Sequence, residues 1–497
     1  MPKTPNEPSP HLPTPTHWQI DHWPRQAIID GGLVAGSNPF SVVNPANGQP
    51  LAQVHDYTDA QFTQAIDSAH QAWQSWQHTP PRERHQLLLQ WAEQLSQHHT
   101  GLSQLLCLEN GKPLAQAEGE IQHCITMLRW YAEETRRLTG EVLPKHNSNL
   151  QHFTQRQPLG VVAAITPWNF PAAAVIVKAG AAIAAGCTCI VKPSEHTPLI
   201  ALALASLAVD AGLPAGVLNA VPASEPKHFG QILCTSPKIA MVSFTGSTAV
   251  GRQLYQQCGP SLKRLALELG GNAPFLVFDD CDIERTVAAL VSARFYNSGQ
   301  ICVGANRILV QASIAQRFTQ ALARAAQALT VAPGHAPGCD IGPLINQTAK
   351  TRLIALLQDA IAQGAQLHCG DLAQLSANDS LLMPPFVLSH MQTTMAAYQA
   401  ELFGPVACLY TFNDEADAIN LANDTQAGLA AYVYSGSYPR LLRVSEQLQA
   451  GSVGANSCEL FSEDVPFGGI KSSGFGKEQG LHCLHEFTYL KSVALGL

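Results

Sequence analysis

Gly160-Val161-Val162-Ala163-Ala164-Ile165 is an unbroken apolar run that ends at Thr166-Pro167. A run of this length, bounded by glycine and proline, is typical of a strand buried on both faces of a parallel sheet. Ala-rich helical segments then alternate with short apolar runs at 189–191, 217–221 and 241–244. This alternation predicts a doubly wound, open α/β sheet.

The same pattern restarts after Gly271, where apolar runs at 275–278 and 307–310 are separated by a helical segment. A second α/β domain is the simplest explanation of this restart. Upstream of the first sheet, the region 57–137 is predicted to be helical, and Pro80-Pro81 marks one helix start. Segments 151–157 and 487–494 alternate as strands do and lie outside both predicted sheets.

The bulk composition favours a multi-domain, oligomeric protein. A chain of 497 residues is too long for one compact core. Its charged fraction of 13% is well below the usual value of about 25%, so we expect much of the surface to be covered by other subunits. The net charge of -8 and the lack of a Lys/Arg block argue against a nucleic-acid partner.

The N-terminal region indicates neither secretion nor membrane insertion. Residues 1–18 are rich in proline and lack the apolar core of a signal peptide, which predicts a disordered tail. The longest weakly polar run, 179–191, is too short to span a bilayer. We therefore expect a cytoplasmic protein with no membrane partner.

The thirteen cysteines do not resemble a disulfide framework, because their number is odd and most lie singly in apolar stretches. His482, Cys483 and His485 lie close together in sequence but lack a fourth ligand. We interpret these three residues as structural and expect no metal site.

Three short motifs carry side chains suited to catalysis: Gly299-Gln300-Ile301-Cys302, Glu268-Leu269-Gly270-Gly271 and Thr166-Pro167-Trp168-Asn169. A thiol that is activated as thiolate can attack a carbonyl carbon. A carboxylate in an apolar setting can act as a general base, and an amide can stabilise an oxyanion. Taken singly, Cys302 could be a buried hydrophobe, Glu268 an exposed strand residue and Asn169 a turn residue.

A fourth motif follows a predicted strand at 244–251, where Gly246 and Ser247 form a turn before a helix. Gly246 and Gly251 have the spacing of a P-loop, but Arg252-Gln253 replaces the Lys-Ser/Thr that a nucleoside triphosphate requires. A strand, a glycine turn and a helix nevertheless suit a diphosphate bound at the helix N-terminus.

In this order and at these separations, the motifs resemble the aldehyde dehydrogenase superfamily from about residue 20 to the C-terminus. The stretch 267–275 and the closing Gly-Phe-Gly-Lys-Glu are most similar to the succinate-semialdehyde dehydrogenase branch. The resemblance implies a homodimer or homotetramer with two doubly wound open-sheet domains and a small β oligomerisation element. The domain limits it implies are 19–145 with 159–270 for the NAD-binding domain, 271–465 for the catalytic domain, and 146–158 with 480–497 for the oligomerisation strands.

The resemblance also implies roles for individual residues. Cys302 would form a thiohemiacetal and then a thioester with an aldehyde, Asn169 would stabilise the oxyanion, and Glu268 would activate the hydrolytic water. The residues that it places at the nicotinamide cofactor are Thr166, Trp168, Lys192, Glu195, Gly246, Ser247, Glu401 and Phe403. Glu195 would repel a 2′-phosphate, which favours NAD over NADP.

The chain departs from the branch at the substrate. The two arginines that grip a substrate carboxylate in the branch align with Val177 and Tyr296, and Arg294 is expected to point elsewhere. Gly304 stands where the branch has a second active-site cysteine. A neutral, apolar or aromatic aldehyde therefore fits at least as well as a semialdehyde. The alternatives are an ester or thioester hydrolase using Cys302 and Glu268 without redox turnover, and a catalytically silent binding protein.

Overall fold

The computed structural model describes residues 22–497, so the tail predicted at 1–18 lies outside the described residues. The strands in chain order are β1 (Ala27–Ile29), β2 (Gly32–Val34), β3 (Pro39–Val43), β4 (Pro50–His55), β5 (Leu150–Pro158), β6 (Val161–Ile165), β7 (Thr188–Lys192), β8 (Leu218–Ala220), β9 (Ile239–Thr245), β10 (Arg264–Glu268), β11 (Ala273–Val277), β12 (Ala305–Gln311), β13 (Gln366–Cys369), β14 (Phe386–Ser389), β15 (Val406–Phe412), β16 (Ala430–Tyr434), β17 (Ser452–Ala455), β18 (Gly474–Phe475) and β19 (Thr488–Gly496).

The α-helices are α1 (Asp59–Trp76), α2 (Pro81–Gln97), α3 (His99–Asn110), α4 (Leu114–Thr135), α5 (Pro171–Val175), α6 (Ala181–Ala185), α7 (Pro198–Asp210), α8 (Pro226–Thr235), α9 (Thr248–Cys258), α10 (Ile283–Phe295), α11 (Ala315–Gln327), α12 (Gln347–Ala362), α13 (Leu372–Ser376), α14 (Ala396–Gln399), α15 (Glu415–Asn423), α16 (Tyr438–Gln447) and α17 (Gly480–Glu486). A π-helical stretch, Ile176–Gly180, joins α5 to α6.

The first sheet has the strand order β18-β10-β9-β6-β7-β8-β1-β2. Its five central strands run parallel, and β1, β2 and β18 are antiparallel to their neighbours. All five residues of β6 are buried, as the opening apolar run predicts. Alternate β6 residues belong to different core clusters: Val162 faces one that includes residues of α2, α4 and α7, and Ala163 faces one with residues of α1 and α8. Helices therefore cover both faces, which makes this sheet doubly wound.

The second sheet has the order β13-β14-β15-β12-β11-β16-β17, in which only the edge strand β13 is antiparallel. Phe275 and Leu276 of β11 lie in separate core clusters on its two faces. The predicted α/β class, with two open sheets, is confirmed. The domain limits read from the sequence remain predictions.

Outside both sheets, β5 and β19 pair antiparallel over their full lengths, from Thr488 opposite Pro158 to Gly496 opposite Leu150. The prediction of strand from residue 480 onwards is wrong for its first part, because Gly480–Glu486 forms the helix α17. Its Cys483 and Leu484 are fully buried against the core that includes α6, and a helix can bury these two adjacent side chains together. Just before it, β18 returns to pair with β10 of the first sheet.

Candidate active site

Cys302 lies just beyond a tight turn that follows α10. Asn297, Ser298 and Gly299 all have left-handed backbones, with φ of 48°, 58° and 72°. Two of them are not glycine, which is uncommon and indicates a turn held by its surroundings. Arg294 holds it through its buried guanidinium, which donates to the carbonyl of Gly299 at 2.8 Å. The expectation that Arg294 points away from the substrate agrees with this contact.

Asn169 lies in the loop between β6 and α5, and the structure joins it directly to the Cys302 turn. Its side-chain Nδ2 donates to the carbonyl of Gln300 at 3.0 Å. A primary amide has two N–H groups, so one remains for a substrate oxygen. The backbone carbonyl of Asn169 accepts from Nδ2 of Asn297 at 2.9 Å. The two candidate catalytic motifs are thus bonded to each other although they are separated by about 130 residues in sequence.

Glu268 is the last residue of β10 and is buried. Its Oε2 is buried without a hydrogen-bond partner among the described residues. Burial raises the pKa of Glu268 well above its ordinary value, and the nearby Glu478 carboxylate raises it further, while Lys178 and Lys477 oppose this. A partnerless carboxylate with a raised pKa has the properties required of a general base.

The surroundings of Cys302 disfavour a negative charge on its sulfur. Burial raises the pKa of Cys302, and the carboxylates of Glu401 and Glu268 raise it further. Both carboxylates therefore lie near enough to interact electrostatically with a negative charge on the sulfur. Gly271 also lies against Cys302, since a Cβ built on it would be 2.1 Å from the Cys302 carbonyl oxygen. The glycine in this motif permits the close approach of the two segments.

The glycine turn before α9 has the predicted form. Ser247 caps α9, and its side chain accepts from the Val250 N–H at 3.3 Å. The Gly246 N–H donates to the carbonyl of Glu268 at 3.0 Å, which ties this turn to the end of β10. The N-terminus of an 11-residue helix beside a glycine turn is suited to a diphosphate.

The other predicted cofactor residues lie at the carboxyl ends of β6 and β7 and on the segment before β15. Nζ of the buried Lys192 lies 3.7 Å from the Glu195 carboxylate. The rings of Trp168 and Phe403 meet edge to face at 5.4 Å. Glu401 accepts from the Gly271 N–H at 3.0 Å, and burial raises its pKa to about 7.

Thr166 provides the structural test of whether these residues suit a dinucleotide. Its Oγ1 is buried and has no hydrogen-bond partner among the described residues. A buried hydroxyl without a partner is costly unless a ligand supplies one. Together with the helix N-terminus at Ser247, it fits a polar ligand lying along this edge of the sheet.

The side chains clustered with Cys302 are apolar and aromatic. Phe170 and Tyr296 have parallel rings with centroids 6.3 Å apart and an interplanar angle of 6°. Phe461 and Phe467 form a second pair at 4.8 Å. Phe170, Tyr296, Cys302 and Phe467 belong to one apolar cluster, and Val177 is buried in the adjoining one.

Several residues of the site were missed by the motif analysis. Lys178 donates to Glu478 and, at 3.2 Å, to Ser243 Oγ, so an ion pair lies beside Glu268. A single lysine in the Ala-rich run 171–185 was the available signal, since lysine is seldom fully buried without a partner. Glu478 carried no such signal, because it lies in a polar segment. No cluster of three or more potential metal ligands occurs within residues 22–497.

Comparison with known proteins defines the class. The aldehyde dehydrogenase family model matches residues 34–493, and the chain belongs to this family. Its relatives include the NADP(+) succinate-semialdehyde dehydrogenase of Escherichia coli, which is 42% identical over 95% of this chain and 98% of the relative. The predicted family is therefore confirmed.

Two solved structures agree. Succinate-semialdehyde dehydrogenase from Burkholderia pseudomallei superposes with a TM-score of 0.93 at 40% identity, covering 96% of this chain and 98% of the other. Betaine aldehyde dehydrogenase from Staphylococcus aureus in complex with NAD+ superposes with a TM-score of 0.92 at 29% identity, covering 96% and 95%. The protein is thus an oxidoreductase that acts on aldehydes, and the hydrolase alternative gains no support.

Proposed function

We propose that the protein oxidises an aldehyde to a carboxylic acid through a thioester on Cys302. The observation that carries this proposal is the bond between the Asn169 amide and the Gln300 carbonyl, which brings the amide beside the Cys302 turn. The Cys302 thiol first loses its proton to solvent, Sγ then adds to the carbonyl carbon, and the resulting oxyanion accepts from Asn169 and from the Cys302 backbone N–H. A bound nicotinamide dinucleotide supplies the acceptor for the hydride that leaves this carbon. The acyl group remains on sulfur as a thioester.

Glu268 completes the reaction. Its unpaired Oε2 removes a proton from a water molecule as the water oxygen adds to the thioester carbon. The carbon–sulfur bond then breaks, which releases the acid and the Cys302 thiolate. Because the pKa of Glu268 is raised, this step becomes faster as the pH rises and the carboxylate loses its proton.

The substrate we propose is an aldehyde whose carbonyl carbon carries an uncharged, apolar or aromatic substituent. Binding an anionic semialdehyde requires a desolvated cation. Nη2 of Arg294 donates to the carbonyls of Gly299 and Gly404, and Lys178 is paired with Glu478. Val177 and the paired rings of Phe170 and Tyr296 offer apolar contact instead. A semialdehyde is the second candidate, because the Escherichia coli relative carries that name.

NAD is the proposed cofactor in preference to NADP. The Glu195 side chain is 32% exposed and next to Lys192, at the end of β7 where the family resemblance places the adenine-side ribose. A carboxylate there would repel a 2′-phosphate and accept from a 2′-hydroxyl. The Escherichia coli relative is named for NADP(+), so Glu195→Gln is the direct test. We expect this change to lower the KM for NADP and to raise that for NAD.

Assembly as a homodimer or homotetramer is also proposed. On β19, Tyr489, Leu490 and Leu495 are exposed to 41%, 56% and 49%. Exposed apolar side chains on a two-stranded sheet with open edges are typical of a surface that another subunit covers. No helix within residues 22–497 combines the length and apolar character needed to cross a bilayer. A cytoplasmic location stays a prediction.

The experiment is an NADH absorbance assay with succinate semialdehyde, aliphatic aldehydes and aromatic aldehydes. Cys302→Ala is the inactive variant, and Cys281→Ala, which changes another partly exposed cysteine, is its matched control. Wild type and Cys281→Ala are expected to favour the uncharged aldehydes. Tyr296→Arg is expected to shift kcat/KM toward succinate semialdehyde by about tenfold or more.

The outcomes separate the parts of the proposal. NADH formation that survives Cys302→Ala would exclude the thioester route. A wild-type preference for succinate semialdehyde would show that another group binds the carboxylate and that the apolar assignment is wrong.

A further inference from the structure

A buried ion pair lies behind the loop that carries Asn169. Lys112, between α3 and α4, donates from Nζ to Glu120 of α4, and the two side chains are 0% and 1% exposed. Burying two opposite charges costs desolvation, and an apolar pair of similar volume often serves stability equally well. The other hydrogen bonds of Lys112 and Glu120 indicate a role other than stabilising the fold.

All of these remaining bonds end on residues 169–173. Oε1 of Glu120 accepts from the N–H groups of Ala172 and Ala173 at 3.0 and 3.1 Å. Nζ of Lys112 donates to the backbone carbonyl of Asn169 at 2.9 Å. The same Nζ lies 4.1 Å from the centre of the Phe170 ring. The ion pair therefore holds Asn169 and the residues that follow it, and the Asn169 amide is the group bonded to the Gln300 carbonyl beside Cys302.

The same face of α4 holds the Cys302 turn. Gln116 lies one helical turn before Glu120, and its Oε1 accepts from the Asn297 N–H at 2.8 Å. Asn297 in turn donates to the Asn169 carbonyl at 2.9 Å. One rigid helix thus contacts the oxyanion loop through Glu120 and the nucleophile turn through Gln116.

We propose that Lys112, Glu120 and Gln116 are positioning residues that set the Asn169 amide relative to Cys302. The inference rests on the proposed function, because it assumes that Asn169 and Cys302 act in the chemical step. A displacement of about 1 Å in such an arrangement can cost about 10²-fold in rate. The charges are retained because a lysine and a glutamate can bond the loop at several points, which apolar residues cannot do.

The test compares Lys112→Met with Lys350→Met, which removes a buried lysine of α12 that donates to the Ser380 carbonyl at 2.9 Å. Three quantities are measured: the rate of the NADH burst, the KM for NAD, and the rate of Cys302 alkylation by iodoacetamide, followed by mass spectrometry. Lys112→Met is expected to slow the burst by about 10- to 100-fold. Alkylation and the KM for NAD should change by less than about threefold, because alkylation forms no oxyanion.

An equal burst rate in Lys112→Met and Lys350→Met would overturn the inference. A parallel loss of alkylation would also overturn it, since that result indicates general damage to the site. If Lys112→Met does not fold, the test of the inference is Gln116→Met. Gln116 is only partly buried, so its replacement disturbs the fold less. A slower burst with unchanged alkylation in Gln116→Met supports the inference, and an unchanged burst refutes it.

Asn169→Ala, measured alongside, separates the two proposals. A slow burst in Asn169→Ala together with a normal burst in Lys112→Met and Gln116→Met would refute only the positioning role. A normal burst in Asn169→Ala would refute the oxyanion role of Asn169, and the positioning role with it, but not the oxidation of the aldehyde through Cys302.

Discussion

Glu268→Gln is the change that tests the second half of the reaction. The substitution keeps the size of the buried side chain but removes the oxygen that is free to take a proton. Losing a positioned general base costs about 10²–10⁴ in rate, which corresponds to about 2.7–5.4 kcal/mol in activation free energy. We expect this loss in thioester hydrolysis, whereas hydride transfer, which precedes it, should proceed.

The assay is rapid-mixing measurement of NADH with an excess of aldehyde. Glu268→Gln should give a burst of about one NADH per active site, followed by a steady rate lower than wild type by about 10²–10⁴-fold. Mass spectrometry of the stopped reaction should find the acyl group on the Cys302 peptide. Equal losses in burst and steady rate, with no acylated Cys302, would refute the assignment of Glu268 to hydrolysis.

The raised pKa of Glu268 also predicts how stability depends on pH. The folded protein binds this proton more tightly than the unfolded chain, so the group favours folding below its ordinary pKa and that contribution is lost as the pH rises through the folded pKa. Gln at this position does not titrate. In urea unfolding, Glu268→Gln should therefore gain stability relative to wild type as the pH rises above the ordinary range of a carboxyl group. A loss of stability by Glu268→Gln relative to wild type as the pH rises would contradict the inferred direction of the pKa shift.

Three further changes test other parts of the site and assembly. Asn169→Ala should slow the burst by about 10²–10³-fold, while Asn219→Ala, a buried asparagine of β8 bonded to the Gly216 carbonyl, should lower stability but leave the burst unchanged. Because burial raises the pKa of Glu401 to about 7, the affinity for NAD in fluorescence titrations should fall as the pH drops below that value and should be insensitive to pH in Glu401→Gln. Leu490→Asp places a charge on the exposed face of β19 and should lower the mass measured by light scattering, and an unchanged mass would exclude this surface as the interface.

The sequence was sufficient where the governing interactions are local. The apolar run at β6 predicts a buried parallel strand because no polar residue interrupts it. Gly246 and Ser247 predict the cap of α9 because a glycine turn followed by a hydroxyl is a local signal for a helix start. For the segment 480–486 the prediction of strand was wrong, because these residues form a helix that packs against α6.

What the sequence by itself determined is the α/β class and, through its motifs, the aldehyde dehydrogenase family and a set of candidate catalytic and cofactor residues. Only the tertiary structure showed that Lys178 reaches Glu478 across 300 positions, and that Lys112 reaches Asn169 across 57. Periodicity and turn chemistry relate residues a few positions apart, so they carry no information about such pairs. The ion pair and the hydrogen bond form because segments far apart in sequence come together, and that meeting is decided by the packing of the whole chain.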